Sequence, residues 1–161
     1  QTLYEPSQRV TDVFFIGQGC VSMIAQGDSA RSRTETALIG REGMTGLPPA
    51  LDTDGLSFNL VLMQTPGIAH VMSAQMLRDS MAVMPVLRQR VFGVLQILMA
   101  QVEQTAACNS QHTLPERLTR WLLMAHDRIE GEELPLTQEF LSIMLAVRRS
   151  GVMLPWHPCA R

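Results

Sequence analysis

Hydrophobic and polar positions follow two different periods along this chain. Through about residue 72 the apolar residues come in short runs rich in β-branched and aromatic side chains, bounded by turn residues. Asp12-Val13-Phe14-Phe15-Ile16 and Cys20-Val21-Ser22-Met23-Ile24-Ala25 flank Gly17-Gln18-Gly19, which predicts a β-hairpin. Gln26-Gly27-Asp28-Ser29 predicts a further turn, with a strand near Thr34–Ile39 after it. Gly40, Gly43 and Gly46 with Pro48-Pro49 mark an irregular segment. Leu60–Met63 and Ala69–Met72 then flank the turn Thr65-Pro66-Gly67. Short strands at this spacing predict a small antiparallel barrel or roll.

From Ser73 onward the spacing becomes helical. A short helix through Gln75–Leu77 precedes Pro85, a residue suited to the first turn of a helix. The next helix is predicted to run to about Cys108, roughly 36 Å at 1.5 Å per residue. Val91, Leu95, Leu98 and Val102 keep a 4-3-4 spacing, and Leu87, Val94 and Met99 widen that face. Such a helix has more apolar surface than a small roll covers, which predicts a partner helix in a dimer, with Leu87, Val91, Leu95, Leu98 and Val102 at the seam. Packing on its own roll alone is the simpler alternative. Thr113-Leu114-Pro115-Glu116 fits a capping box, and Leu114, Leu118, Trp121, Leu122, Ala125 and Ile129 line one face of the helix it opens. Thr137 caps a short helix to about Leu145, and another starts near Arg148. Two short helices joined by a tight turn form a helix-turn-helix pattern.

Composition narrows the chemistry. The 161 residues suit one domain or two small ones, with 46% apolar and 17% charged residues. All 13 basic residues are arginine, so P-loop and Schiff-base chemistry lack their lysine. No G-x-S-x-G, H-E-x-x-H or Walker sequence occurs, and Asp127 beside His126 would diverge on a helix, so no enzyme is predicted. Cys20, Cys108 and Cys159 are scattered, as are His70, His112, His126 and His157; reduced thiols and no metal or other cofactor are expected. The net charge is −2 but uneven: residues 140–161 carry Arg148, Arg149 and Arg161 and no acid. That basic end can meet phosphate. No uninterrupted apolar run approaches a bilayer span, so a cytoplasmic protein without a membrane partner is expected.

Three stretches carry a family resemblance. RLTRWLLMAHDR, LPLTQEFL and VRRSGV within 105–152, with LYEPSQRVTDVFFIGQGCVSMIA and ALIGREGMTGLP in the first half, resemble the CRP/FNR superfamily of bacterial transcription regulators. The resemblance implies an α+β fold in three parts. Residues 1–84 would form an antiparallel effector-sensing β-roll of the cyclic-nucleotide-binding jelly-roll type, 85–110 a dimerisation helix, and 111–161 a helix-turn-helix. It implies a homodimer on a twofold-symmetric operator, with DNA as partner and RNA polymerase as a further one that it allows. Arg148, Arg149 and Ser150 would open the recognition helix, where arginine meets guanine or phosphate. Thr137 and Gln138 would donate to phosphate. Two adjacent arginines on a solvated turn are the plainer alternative.

This chain also departs from the family pattern. Cyclic-nucleotide-binding members carry a Gly-Glu-x-Gly segment and a later arginine; here Gly40-Arg41-Glu42-Gly43 shifts the acid, and Leu56–Leu60 has no arginine. A cyclic phosphate would lack its charge-assisted partner, so cyclic AMP is not expected as effector, Arg41 being the one candidate substitute. Cys20 alone cannot hold the iron–sulfur cluster of oxygen-sensing members. The chain opens at Gln1, without an initiator methionine. Pro155, costing about 3 kcal/mol inside a helix, is expected to end the recognition helix by Leu154. Residues 153–161 leave no wing. A truncated helix-turn-helix that binds DNA weakly is therefore expected, from a fragment or an altered frame; a dimeric sensor or protein-interaction module with a non-functional DNA-binding end is the alternative.

Overall fold

In the computed structural model, residues 1–27, 33–51, 55–129, 138–145 and 147 are described, without the side chains of residues 138 and 139. Among the described residues, seven strands form two antiparallel sheets: β1 (Thr2–Tyr4), β2 (Asp12–Gln18), β3 (Val21–Gln26), β4 (Arg33–Ile39), β5 (Met44–Thr45), β6 (Leu60–Met63) and β7 (Ile68–Ser73). The larger sheet has the order β1-β6-β3-β4 and the smaller β5-β2-β7. Four helices follow: α1 (Ala74–Val83), α2 (Pro85–Gln111), α3 (Leu114–His126) and α4 (Gln138–Met144). The fold is α+β, a roll with helices laid against it.

The hairpin predicted around Gly17-Gln18-Gly19 does not form. β2 pairs with β5 and β7, whereas β3 pairs with β4 and β6, so the chain crosses from one sheet to the other at Gly19. A later crossing back to the smaller sheet lies at Thr65-Pro66-Gly67, between β6 and β7. The two corners press on each other. Gly19 has φ +87, and a Cβ there would lie 2.8 Å from the Pro66 carbonyl oxygen; a Cβ on Gly67 would lie 2.0 Å from that of Gln18. Thr65 Oγ1 accepts the Cys20 amide at 2.9 Å and closes the buried corner. Glycine is needed here for close backbone approach as well as for its torsion.

Val13, Ile16, Val21, Ala37, Ile39, Met44 and Val61 fill the space between the sheets, and Leu77 and Met81 of α1 close one side. Ser73 caps α1 by accepting the Met76 amide, and Pro85 opens α2. Val91 and Leu98 of α2 enter the same core. Gln101 of α2 accepts the Leu38 amide of β4 at 2.6 Å, covering part of that edge strand. By length and composition alone α2 would pass for a membrane span, yet one of its faces is packed on the roll.

A second core lies on the other face of the larger sheet. Cys20, Ile24, Leu38 and Leu60 point away from the roll interior and meet Trp121 and Ala125 of α3 and Met144 of α4. The capping box forms as expected, with the Thr113 amide donating to Glu116 Oε2 at 2.8 Å. Buried Ala125 is the small residue that lets α3 lie close to the sheet.

Candidate functional site

α2 carries two apolar stripes, and they have different neighbours. Leu87, Val91, Val94 and Leu98 turn toward the roll, and Val91 and Leu98 are buried in its core. Phe92, Met99 and Val102 are exposed, at 47, 63 and 38%, and Leu95 lies between the two stripes. Phe92, Leu95, Met99, Val102 and Ala106 keep a 3-4-3-4 spacing, the heptad pattern of a helix–helix seam. Of the residues expected at a dimer seam, Val91 and Leu98 are thus taken up by this chain's own core. Val102 remains open, and Leu87 and Leu95 are half-buried. Phe92 and Met99 make up the rest of the open stripe; their spacing was visible in the sequence, but it competed with the stronger stripe beside it.

Between the roll and that stripe lies a groove of about 400 Å³, lined chiefly by Met23, Leu47, Phe58, Leu95, Met99 and Val102. Glu103 is the only charged side chain among its described lining residues. Such a surface offers nothing to neutralise a phosphate. The Gly40-Arg41-Glu42-Gly43 segment lies elsewhere. Glu42 Oε1 accepts from the Gly40 amide at 3.1 Å and pairs with Arg128 Nε at 2.7 Å. A Cβ on Gly40 would lie 2.8 Å from Arg128 Cγ, so that glycine makes room for the arginine. Arg41 is exposed and does not line the groove.

Sequence reasoning missed a polar contact in the second core. Trp121 Nε1 donates to Glu35 Oε2 at 2.5 Å, joining α3 to β4, and Glu35 is only 4% exposed. A bulge places the carboxylate there. Met23 pairs with Ala37 and Ile24 with Glu35, leaving Thr36 without a partner position, so Glu35 shares the outer face with Ile24 rather than the inner face with Ala37. Burial pushes the Glu35 carboxyl up to about 8, against the opposing pull of Ser22, Trp121, Arg128 and Arg120. Burial likewise pushes the nearby Cys20 thiol up to about 12, with the Glu35 charge adding to it. The available signal was a lone acid in the apolar strand TETALI and a lone tryptophan on an amphipathic helix.

Of the residues expected at DNA, Gln138 alone is among the described residues. Thr137, Arg148, Arg149 and Ser150 lie outside the described residues. Gln138 opens α4. α4 is held by Phe140, edge-on to Trp121 with ring centroids 5.9 Å apart, and by Arg117, whose Nη2 donates to the Leu145 carbonyl.

A two-sheet roll followed by a long helix and a helical unit is the architecture of the CRP/FNR transcription regulators, and this chain has their fold. No protein-family model matches it, and no curated protein matches it by sequence. Among solved structures it is similar to CLP of Xanthomonas campestris, described as a c-di-GMP-responsive global regulator, at TM-score 0.77 and 13% identity over 94% of this chain and 78% of that one. FixK2 from Bradyrhizobium japonicum matches at TM-score 0.77 and 13% identity, over 94% and 76%. A CRP-family transcriptional regulator from Thermus thermophilus matches at TM-score 0.75 and 16% identity, also over 94% and 76%.

Proposed function

We propose that the chain is a DNA-binding transcription regulator of the CRP/FNR type, whose output is binding rather than turnover. The observation that carries this reading is the fold likeness, which spans roll, long helix and helical unit over 94% of the chain. Residues 1–84 sense, 85–110 dimerise, and 111–161 hold the helix-turn-helix. The dimer forms through the open stripe of Phe92, Leu95, Met99 and Val102, since two such stripes bury each other. Arg148, Arg149 and Ser150 reach base edges while Thr137 and Gln138 hold phosphate. Such a protein works in the cytoplasm, beside RNA polymerase.

Selection from random duplex DNA, followed by anisotropy titrations at two salt concentrations, tests the reading. The expected result is an enriched twofold-symmetric site, bound weakly by a dimer and with a shallow dependence on salt, because few phosphate contacts remain. Arg149→Ala should relax one base pair per half-site by about 1–3 kcal/mol. A dimer that enriches no symmetric site would instead be a sensor or protein-interaction module.

A further inference from the structure

We propose that Glu35 and Trp121 form a proton-operated latch that holds α3 and α4 on the outer face of the roll. Three observations carry it. The Trp121–Glu35 bond is a buried polar contact, beside the apolar cluster of Ile24, Leu38 and Ala125, that joins the sheet to the helical unit. Glu35 Oε1 is buried with no hydrogen-bond partner, and so is Arg117 Nε. Both residues line one small cavity of about 30 Å³ between β4, α2, α3 and α4.

A neutral carboxyl suits this site; a carboxylate does not. The Trp121 hydrogen bond meets one oxygen and the nearby Ser22 hydroxyl donates to Gln64 Oε1 at 3.0 Å, so a buried charge lacks compensation. The groups that face it are few. Among the described residues, β4 itself contributes Arg33, β3 and its approach contribute Ser22 and Cys20, α2 contributes Cys108, and α3 with its end contributes Arg117, Arg120 and Arg128. Three of these cations make other contacts: Arg128 with Glu42, Arg120 with Thr105 Oγ1 at 3.5 Å, and Arg117 through Nη2 with the Leu145 carbonyl at the end of α4, while the Nε atoms of Arg117 and Arg33 are buried without a hydrogen-bond partner. The cavity beside Glu35 has room for about one water, too few to hydrate a carboxylate, so full solvation of ionised Glu35 requires α3 to lift from the sheet. If Arg117 turns to it instead, α4 loses its anchor. Either route loosens the helical unit while the core between the sheets stays intact. Deprotonation therefore converts a pH rise, or any partner that draws Glu35 into its charged form, into release of the helices.

This inference needs only the docking geometry; its consequence for DNA alone rests on the proposed function. The test accordingly uses no DNA. Hydrogen exchange of the full chain is followed from pH 6 to 10, each amide normalised to its unstructured rate at that pH. Protection of α3 should fall by up to about tenfold per pH unit from pH 6 and level off near 8, while α1 keeps its protection. Glu35→Gln, which keeps an acceptor for Trp121 but cannot ionise, should abolish the transition. Ser22→Ala removes a group that favours the charged form and should move the levelling-off to higher pH. Protection of α3 that is flat or rises with pH in the unmodified chain would overturn the latch. So would an unchanged transition in Glu35→Gln, a downward shift in Ser22→Ala, or loss of α1 protection in step with α3. Should the latch hold while no symmetric DNA site is found, only the proposed function fails.

Discussion

Val91 and Phe92 are adjacent on α2 and serve opposite sides of it: Val91 is 2% exposed and sits in the roll core, whereas Phe92 is 47% exposed on the open stripe. Stability of the fold and association of two copies should therefore separate by mutation. Phe92→Glu or Met99→Glu should give monomers in sedimentation at micromolar concentration, with a circular-dichroism melt that shows a folded roll. Leu98→Ala should instead cost about 2–5 kcal/mol of folding stability, the usual range for a buried leucine. A chain that sediments as a monomer without any substitution would remove the basis for the seam.

The corner glycines should be intolerant of a single methyl group. A Cβ on Gly67 would strike the Gln18 carbonyl, so Gly67→Ala must push the two sheet crossings apart. A loss of more than about 2 kcal/mol in urea denaturation is expected, in the range of strained or overpacked sites. Gly93→Ala provides the contrast. Nothing lies within 4 Å of a Cβ there, and the position is inside α2, so a gain of up to about 1 kcal/mol is expected. Equal effects at the two positions would contradict the close approach of the corners.

These cases show where sequence reasoning reaches and where it stops. The strands, the capping box at Thr113 and the turn toward helical spacing near Ser73 are local features, and local residues specify them. Gly17-Gln18-Gly19 gives the same local signal for a hairpin and for a sheet crossing; the contact with Gly67, distant in sequence, decides between them. On α2, periodicity identifies apolar residues but not which core each one enters. At Glu35 the deciding feature is the bulge at Thr36, which reverses the face of one side chain and which no composition rule locates.

Cyclic AMP at millimolar concentration should leave the melting temperature unchanged. The groove beside α2 is apolar apart from Glu103, and Glu42 is already engaged by Arg128. A ligand at 100 times its Kd would add about 2.7 kcal/mol, which a thermal melt resolves easily. A clear shift that disappears in Arg41→Ala would mean that Arg41 serves as the phosphate partner after all.

Glu35 should also leave its mark on overall stability. The folded chain keeps this carboxyl protonated up to about 8, whereas an unfolded chain releases the proton near the ordinary glutamate range, about 4.3. Between those values the folded state binds one proton more than the unfolded state. Raising the pH then favours unfolding, by about tenfold in the equilibrium per pH unit for a single such group. The contribution is fully present below the unfolded value and is lost as pH rises through the folded one. Glu116 has the opposite sign: hydrogen bonds from Thr113 hold its carboxyl below the usual range, so its contribution is lost only as pH falls. Measurements between pH 5 and 8 therefore separate Glu35 from Glu116. Across that window the urea stability of the unmodified chain should decline relative to Glu35→Gln, and Glu116→Gln should run parallel to the unmodified chain. Parallel curves for the unmodified chain and Glu35→Gln would show that the carboxyl titrates as if exposed, and the buried contact with Trp121 would then not describe the chain in solution.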